Sequence, residues 1–266
     1  METFENINLT RNGAILEIEM DRPKANAISA AYSRDLGRVF AMFRDDADLR
    51  VAILTGAGAK FFTGGWDLNG VADGEEYVSD FGVGGFCGFT EMHDLLKPVI
   101  CAVNGLAVGA GFEMLLRADF ILAADHAAFF LPEVHIGVAP DIATILLPKY
   151  LPRPLAMEVL MTGRRLSAQE MLQYNLINKV VAPDQLMAEA RALAQQLLKA
   201  APLSLAAIKE GVRETDSVDF RDSYRALKEG IQQGKWPHFK KMLESSDATE
   251  GAKAFQEGRE PKWTGA

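Results

Sequence analysis

Cysteine is scarce in this chain of 266 residues, with Cys87 and Cys101 its only two. Two thiols cannot build a disulfide framework or a zinc cluster. They fit a reducing compartment, so the expected location is cytoplasmic. Histidine is almost as rare. The four, at positions 93, 126, 135 and 238, lack the spacing of metal ligands, and no metal site is expected. No block of lysine and arginine stands out, and a formal net charge of −8 argues against nucleic acid as a partner. The opening stretch Met1-Glu-Thr-Phe-Glu has no apolar run and does not read as a secretory leader. Val99–Leu116 is the one long apolar stretch. Asn104, Glu113 and its glycines make it a strand, turn and helix rather than a membrane span. Two common catalytic loops are missing as well, the Gly-Lys-Ser/Thr phosphate loop and the Gly-x-Ser-x-Gly elbow. Gly56-Ala-Gly58 follows a strand-like run, but Phe61 stands where a dinucleotide fingerprint needs its third glycine.

What is present has the balance of a soluble globular protein, 48% apolar and 24% charged residues. Ala14–Met20 alternates, with Leu16, Ile18 and Met20 on one face and Glu17 and Glu19 on the other, which predicts a half-buried strand. Ser29 can cap a helix striped by Tyr32, Leu36, Val39, Phe40 and Phe43. Val51–Thr55, Val99–Val103, Phe120–Ala124 and Ala127–Leu131 read as strands, with a glycine turn and a helix from about Ala110 to Arg117 between the second and third. Residues 70–90, rich in glycine and phenylalanine, read as a mobile loop and pocket wall. Ser167-Ala-Gln-Glu170 is a capping box, and Leu186–Leu198 is amphipathic. This rhythm predicts an α/β layer fold over residues 1–200, followed by a helical domain over 201–266.

Two segments resist a purely structural reading. In Phe61–Leu68 two glycines precede Trp66, and in Gly109–Leu115 a helix starts near Ala110, leaving its first N–H groups without partners. Two such N–H groups aimed at one point make an oxyanion hole. Glu113 sits one turn into that helix, and Glu133 follows Pro132 at the end of an apolar strand. Glu113 could simply be a favourable charge near a helix N-terminus, and Glu133 a loop carboxylate. Buried carboxylates beside such N–H groups point equally to acid–base chemistry.

The chain resembles the enoyl-CoA hydratase/isomerase (crotonase) superfamily in three places. These are Phe62-Thr-Gly-Gly-Trp66-Asp67-Leu68, Asn104 to Glu113, and Pro132-Glu133 with Gly137-Val-Ala-Pro140. The resemblance spans nearly the whole chain and implies a spiral of ββα units with a C-terminal helical trimerisation domain. It implies reversible hydration and dehydration of an acyl-CoA thioester, with an acyl chain ending in a trimethylammonium group expected as substrate. A general short-chain enoyl-CoA hydratase or a catalytically silent CoA-thioester binding protein are the alternatives. By the same resemblance, the backbone N–H groups of Trp66 and Ala110 form the oxyanion hole, and Glu113 and Glu133 are the catalytic carboxylates. Lys24, Ala25, Ala27 and Ile28, with Phe255 and Lys262, would meet coenzyme A. Gly64, Gly65, Asp67, Phe86, Phe89, Gly109 and Asp141 would meet the acyl part. The resemblance implies no permanently bound cofactor, coenzyme A entering as part of the substrate, and a homotrimer or dimer of trimers. Four positions depart from the family pattern: Gly64 replaces a common alanine, Ala110 a common glycine, and Ile142-Ala143 a smaller pair.

Overall fold

The alternation predicted for residues 14–20 becomes β2 (Ile15–Met20), whose Leu16, Ile18 and Met20 are fully buried. Glu17, on the opposite face, takes a two-pronged ion pair from Arg191 at 2.7 Å on each arm. The computed structural model describes residues 2–76, 79–215 and 233–266, without the side chains of Ala252 and Phe255. Two compact units are present, residues 1–194 and 195–266.

The first unit is built by a repeating turn of chain, in which a strand of one sheet leads to a strand of a second sheet and then to a helix. β3 (Val51–Gly56) leads to β4 (Phe61–Thr63) and α2 (Leu68–Ala72). β5 (Val99–Val103) leads to β6 (Leu106–Val108) and α3 (Ala110–Leu115). β7 (Phe120–Ala124) leads to β8 (Ala128–Phe130) and, after a short 3₁₀ turn at Glu133–His135, to α4 (Asp141–Tyr150). The larger sheet runs β1 (Ile7–Asn12), β2, β3, β5, β7, β10 (Lys179–Val181). Its inner strands β3 and β5 are buried at every residue, as continuous apolar runs in a parallel sheet should be. The smaller sheet runs β4, β6, β8, β9 (Leu166–Ser167), and β4, β6 and β8 are parallel neighbours.

α1 (Ala30–Asp45) begins where predicted, with Ser29 Oγ accepting the Tyr32 N–H, and its apolar stripe faces the core. Ser167 and Glu170 complete the capping box of the helix Ala168–Gln173. The helix expected over 110–117 is shorter and stops at Leu115. Part of the 70–90 stretch is ordered into α2 and a 3₁₀ turn at Phe86–Gly88. The second unit is helical in its described part, with helices at Pro202–Thr215, Pro237–Glu244 and Ser246–Glu257. There the buried Glu210 carboxylate accepts the first free N–H groups of Pro237–Glu244, from His238 and Phe239. Among the described residues, no helix is long and apolar enough to cross a membrane.

Asn26 ties the Arg22–Ile28 segment to β4. It is 4% exposed and left-handed (φ +52°), a conformation that asparagine adopts more readily than most residues. Its Nδ2 donates to the Phe62 carbonyl at 3.1 Å and to Phe61 at 3.3 Å, while its Oδ1 accepts the Arg22 N–H at 3.0 Å. Removing the amide orphans buried acceptors, each costing about 1–3 kcal/mol. Asn26→Ala should therefore lower the urea midpoint by an amount corresponding to about 2 kcal/mol or more. An unchanged midpoint would mean that these bonds are replaced by water at no cost.

Candidate active site

Parallel pairing of β4, β6 and β8 brings their carboxyl ends to one edge of the smaller sheet. Trp66 follows the first, Ala110 the second and Glu133 the third. Gly65 (φ +84°) crosses against the β6 end so closely that a Cβ there would lie 2.5 Å from the Val108 carbonyl oxygen and 3.5 Å from Ala110 N. A bridge to Ile28 secures this turn: Ile28 N–H donates to Gly65 O, and Asp67 N–H to Ile28 O, each at 2.8 Å. The bridge passes over Trp66 and leaves its N–H unused. Ala110 is the first residue of α3, and its N–H has no intrahelical acceptor. Both residues line the same cavity of about 520 Å³, so two backbone donors are offered to it.

Gly109 (φ +52°) caps α3 and also makes room for the second carboxylate, because a Cβ on it would fall 2.5 Å from Glu133 Oε1. Glu113 is 4% exposed. Its Oε1 accepts the Ala143 N–H at 2.9 Å, and the Ile142 N–H also favours the ionised form. The carboxylate is thus anchored at the start of α4. Burial pushes Glu113 up to about 7 against those hydrogen bonds, and the charges of Glu133 and Asp141 add to the rise. Burial raises Glu133 too, with a further contribution from Asp141, and its Oε2 is buried without a hydrogen-bond partner among the described residues. Two neighbouring carboxyl groups that both resist ionisation share protons and titrate as a pair.

The rest of the cavity is mostly apolar. Trp66, Phe81 and Phe86 form a closed triangle with ring centroids 5.1–5.5 Å apart, and all three rings line it. Gly64, Gly65, Gly109, Asp141 and Ile142 line it as well. Two expected contacts are corrected. Phe89 is 4% exposed and packs against Phe40 at 4.6 Å, so its ring belongs to the core. Asp67 does not line the cavity. It caps α2 through the Asn69 N–H and pairs with Arg22 at 2.7 Å, and although burial opposes ionisation, Arg22 brings its carboxyl below the usual range. Its work is to hold the Trp66 turn in place.

The segment expected to meet coenzyme A lies beside this turn. Ala25 O accepts the Gly64 N–H at 2.7 Å, Ala27 O accepts Arg22 Nη1 at 2.6 Å, and Lys24 is exposed. Ile28 is fully buried with both backbone groups engaged, so its side chain serves the core. The Phe255 side chain lies outside the described residues. Lys262 is exposed, with its N–H bound to Glu250 Oε1 at 2.8 Å in the second unit. Among the described residues no cluster of metal-ligating side chains is present. Sequence reasoning missed the anchoring N–H groups of α4 because backbone donors carry no residue signature. Phe81, within the 70–90 stretch read as a pocket wall, is not among the residues expected to meet the acyl part.

Glu113 also sets a pH dependence of stability. The unfolded chain ionises it near the ordinary carboxyl value of 4.5, whereas the folded chain holds its proton to about 7. Native stability is therefore full below the lower value and is lost as pH rises through the higher one. Glu113→Gln keeps the acceptor for Ala143 N–H and removes the charge. Its melting temperature relative to the unmodified protein should rise between pH 5 and pH 8, by an amount corresponding to about 3 kcal/mol at most. A difference independent of pH would contradict this assignment.

Comparison with known proteins places this geometry. The enoyl-CoA hydratase/isomerase family model matches residues 10–266. A carnitinyl-CoA dehydratase from Escherichia coli (strain K12) is 52% identical over 262 residues, 98% of this chain and 99% of that one. An enoyl-CoA hydratase structure from Mycobacterium tuberculosis H37Rv superposes with a TM-score of 0.87 at 36% identity, covering 98% of this chain and 99% of the other. One from Bacillus anthracis gives 0.88 at 31%, covering 98% and 100%. A ββα spiral, paired backbone donors after β4 and β6, and two glutamates sharing their cavity therefore belong to a chain of the enoyl-CoA hydratase/isomerase family.

Proposed function

We propose that this enzyme interconverts carnitinyl-CoA and crotonobetainyl-CoA by removal and addition of water. The observation that carries the chemistry is the placement of Glu113, Glu133 and two free backbone donors on one cavity. In the dehydrating direction the thioester oxygen sits between the N–H groups of Trp66 and Ala110, and Glu133, ionised, takes the α-proton. The negative charge passes to the thioester oxygen, where a preorganised donor is worth about 3–4 kcal/mol. Glu113 then gives its proton to the β-oxygen as the C–O bond breaks, and water leaves. In the reverse direction Glu113 takes a proton from water as its oxygen bonds to the β-carbon, and Glu133 returns a proton to the α-carbon. Both directions start from a pair holding one proton, located on a different glutamate in each. Ile142, which replaces a smaller residue of the family pattern, lines the same cavity as Glu113.

The acyl group is read from the aromatic triangle and from relatives that are named carnitinyl-CoA dehydratases. A trimethylammonium group cannot donate N–H hydrogen bonds, so its recognition rests on aromatic faces and nearby negative charge, each ring being worth about 0.5–2 kcal/mol. Trp66, Phe81 and Phe86 supply the faces. Glu91 and Asp141 supply carboxylates in the same cavity. The coenzyme A moiety is assigned to the segment of Lys24, Ala25 and Ala27, of which Lys24 is exposed. These steps use no resident metal or cofactor. A homotrimer or dimer of trimers in the cytoplasm completes the proposal, supported by the family membership and the C-terminal helices; light scattering that found only monomer would remove the assembly from it.

Crotonobetainyl-CoA should exceed crotonyl-CoA in hydration kcat/KM by about tenfold or more, the equivalent of roughly 1.4 kcal/mol. The neutral isostere 5,5-dimethylhex-2-enoyl-CoA, with a tert-butyl group in place of trimethylammonium, should lose most of that advantage. Equal or faster turnover of crotonyl-CoA would instead make the protein a general short-chain hydratase. Absence of turnover with any of the three would make it a thioester-binding protein.

A further inference from the structure

The acid–base steps leave two carboxylates of the cavity unused, Glu91 and Asp141. Asp141 opens α4, where the positive end of the helix partly compensates its charge. It lies close enough to Glu113 and Glu133 to raise the proton affinity of both. Its natural effect is on the catalytic pair.

Glu91 is placed differently. It shares one loop with Phe81 and Phe86, and its Oε1 accepts the Phe86 N–H at 3.3 Å. Its own N–H donates to the Gly84 carbonyl at 3.1 Å, closing the loop on itself. Space for the carboxylate exists because residue 85 is glycine: φ is +69°, and a Cβ there would fall 2.5 Å from Glu91 Oε1. The charge is thereby fixed beside the backbone of the residue whose ring stacks 5.1 Å from Trp66. Arg117, which lines the same cavity, turns its Nε to the Thr90 carbonyl at 2.9 Å and makes no ion pair with Glu91. One carboxylate oxygen is tethered to Phe86, and no described cation neutralises the group.

We propose that Glu91 is the counter-charge of the aromatic triangle and selects acyl chains that end in a quaternary ammonium group. This rests on the carnitinyl reading of the site. A carboxylate beside three aromatic faces suits a cation that offers no N–H, because such an ion needs a field and polarisable surface rather than a directed partner.

The experiment compares crotonobetainyl-CoA with 5,5-dimethylhex-2-enoyl-CoA on the unmodified enzyme, Glu91→Gln and Asp141→Asn. Glutamine keeps the acceptor for Phe86 N–H, and an unchanged melting temperature checks the fold. Glu91→Gln should lower kcat/KM for the cationic substrate about tenfold, mainly through KM, and alter the neutral one less than twofold. Asp141→Asn should act on both substrates alike, through kcat. Equal effects of Glu91→Gln on the two substrates, or none on either, would overturn the proposal, as would a charge-selective loss confined to Asp141→Asn. If the unmodified enzyme itself fails to distinguish the two substrates, the carnitinyl reading falls and takes this proposal with it. If it distinguishes them and Glu91→Gln does so equally well, the proposal alone falls.

Discussion

The site depends on three adjacent parallel strands that end together. β4, β6 and β8 are short, and each is followed by a turn that leaves the sheet at the same edge. Ladder hydrogen bonds fix the strands side by side, so residues far apart in sequence, Trp66, Ala110 and Glu133, arrive on one wall. The Gly65 turn and the Gly109 turn then approach to a separation that no side chain on Gly65 would permit. Behind this wall, Asn26, Thr63 and the Arg22–Asp67 pair hold the turn by hydrogen bonds, with Thr63 Oγ1 donating to Asn26 O at 2.6 Å and accepting from Gly65 N–H at 3.1 Å. Such a scaffold supplies donors whose orientation is fixed before substrate arrives.

Burial of Glu113 costs stability and provides function through the same physics. A carboxylate in this setting holds its proton at neutral pH, which a general acid requires. The two N–H groups at the start of α4 restrain that rise and hold the carboxylate in place. Without them, desolvation alone would push the group further toward permanent protonation, and it could no longer accept a proton from water.

Much of this was legible in the sequence because it follows from residue types with narrow uses. The glycine pair before Trp66, the glycines on either side of Ala110, a lone glutamate in an apolar run, Ser29 as a cap and the Ser167–Glu170 box each have few physical explanations. What could not be read depends on partners distant in the chain. Asp67 looked like a substrate contact because it borders Trp66, yet Arg22, 45 residues earlier, claims its carboxylate. Phe89 looked equivalent to Phe86, and only the packing of α1 decides that one ring meets Phe40 and the other the cavity. Glu91 gave no signal at all, since its role follows from a loop closure made possible by the glycine at position 85.

The central claim is that one proton shared by Glu113 and Glu133 serves both directions of the reaction. Water addition consumes no net proton, so hydration and dehydration must share one pH dependence. The most direct measurement is kcat/KM against pH for crotonobetainyl-CoA and carnitinyl-CoA. The account predicts bell-shaped profiles with coincident limbs, activity falling on the alkaline side as the pair loses its proton and on the acid side as it gains a second. A profile flat from pH 5 to pH 9 in either direction would contradict it.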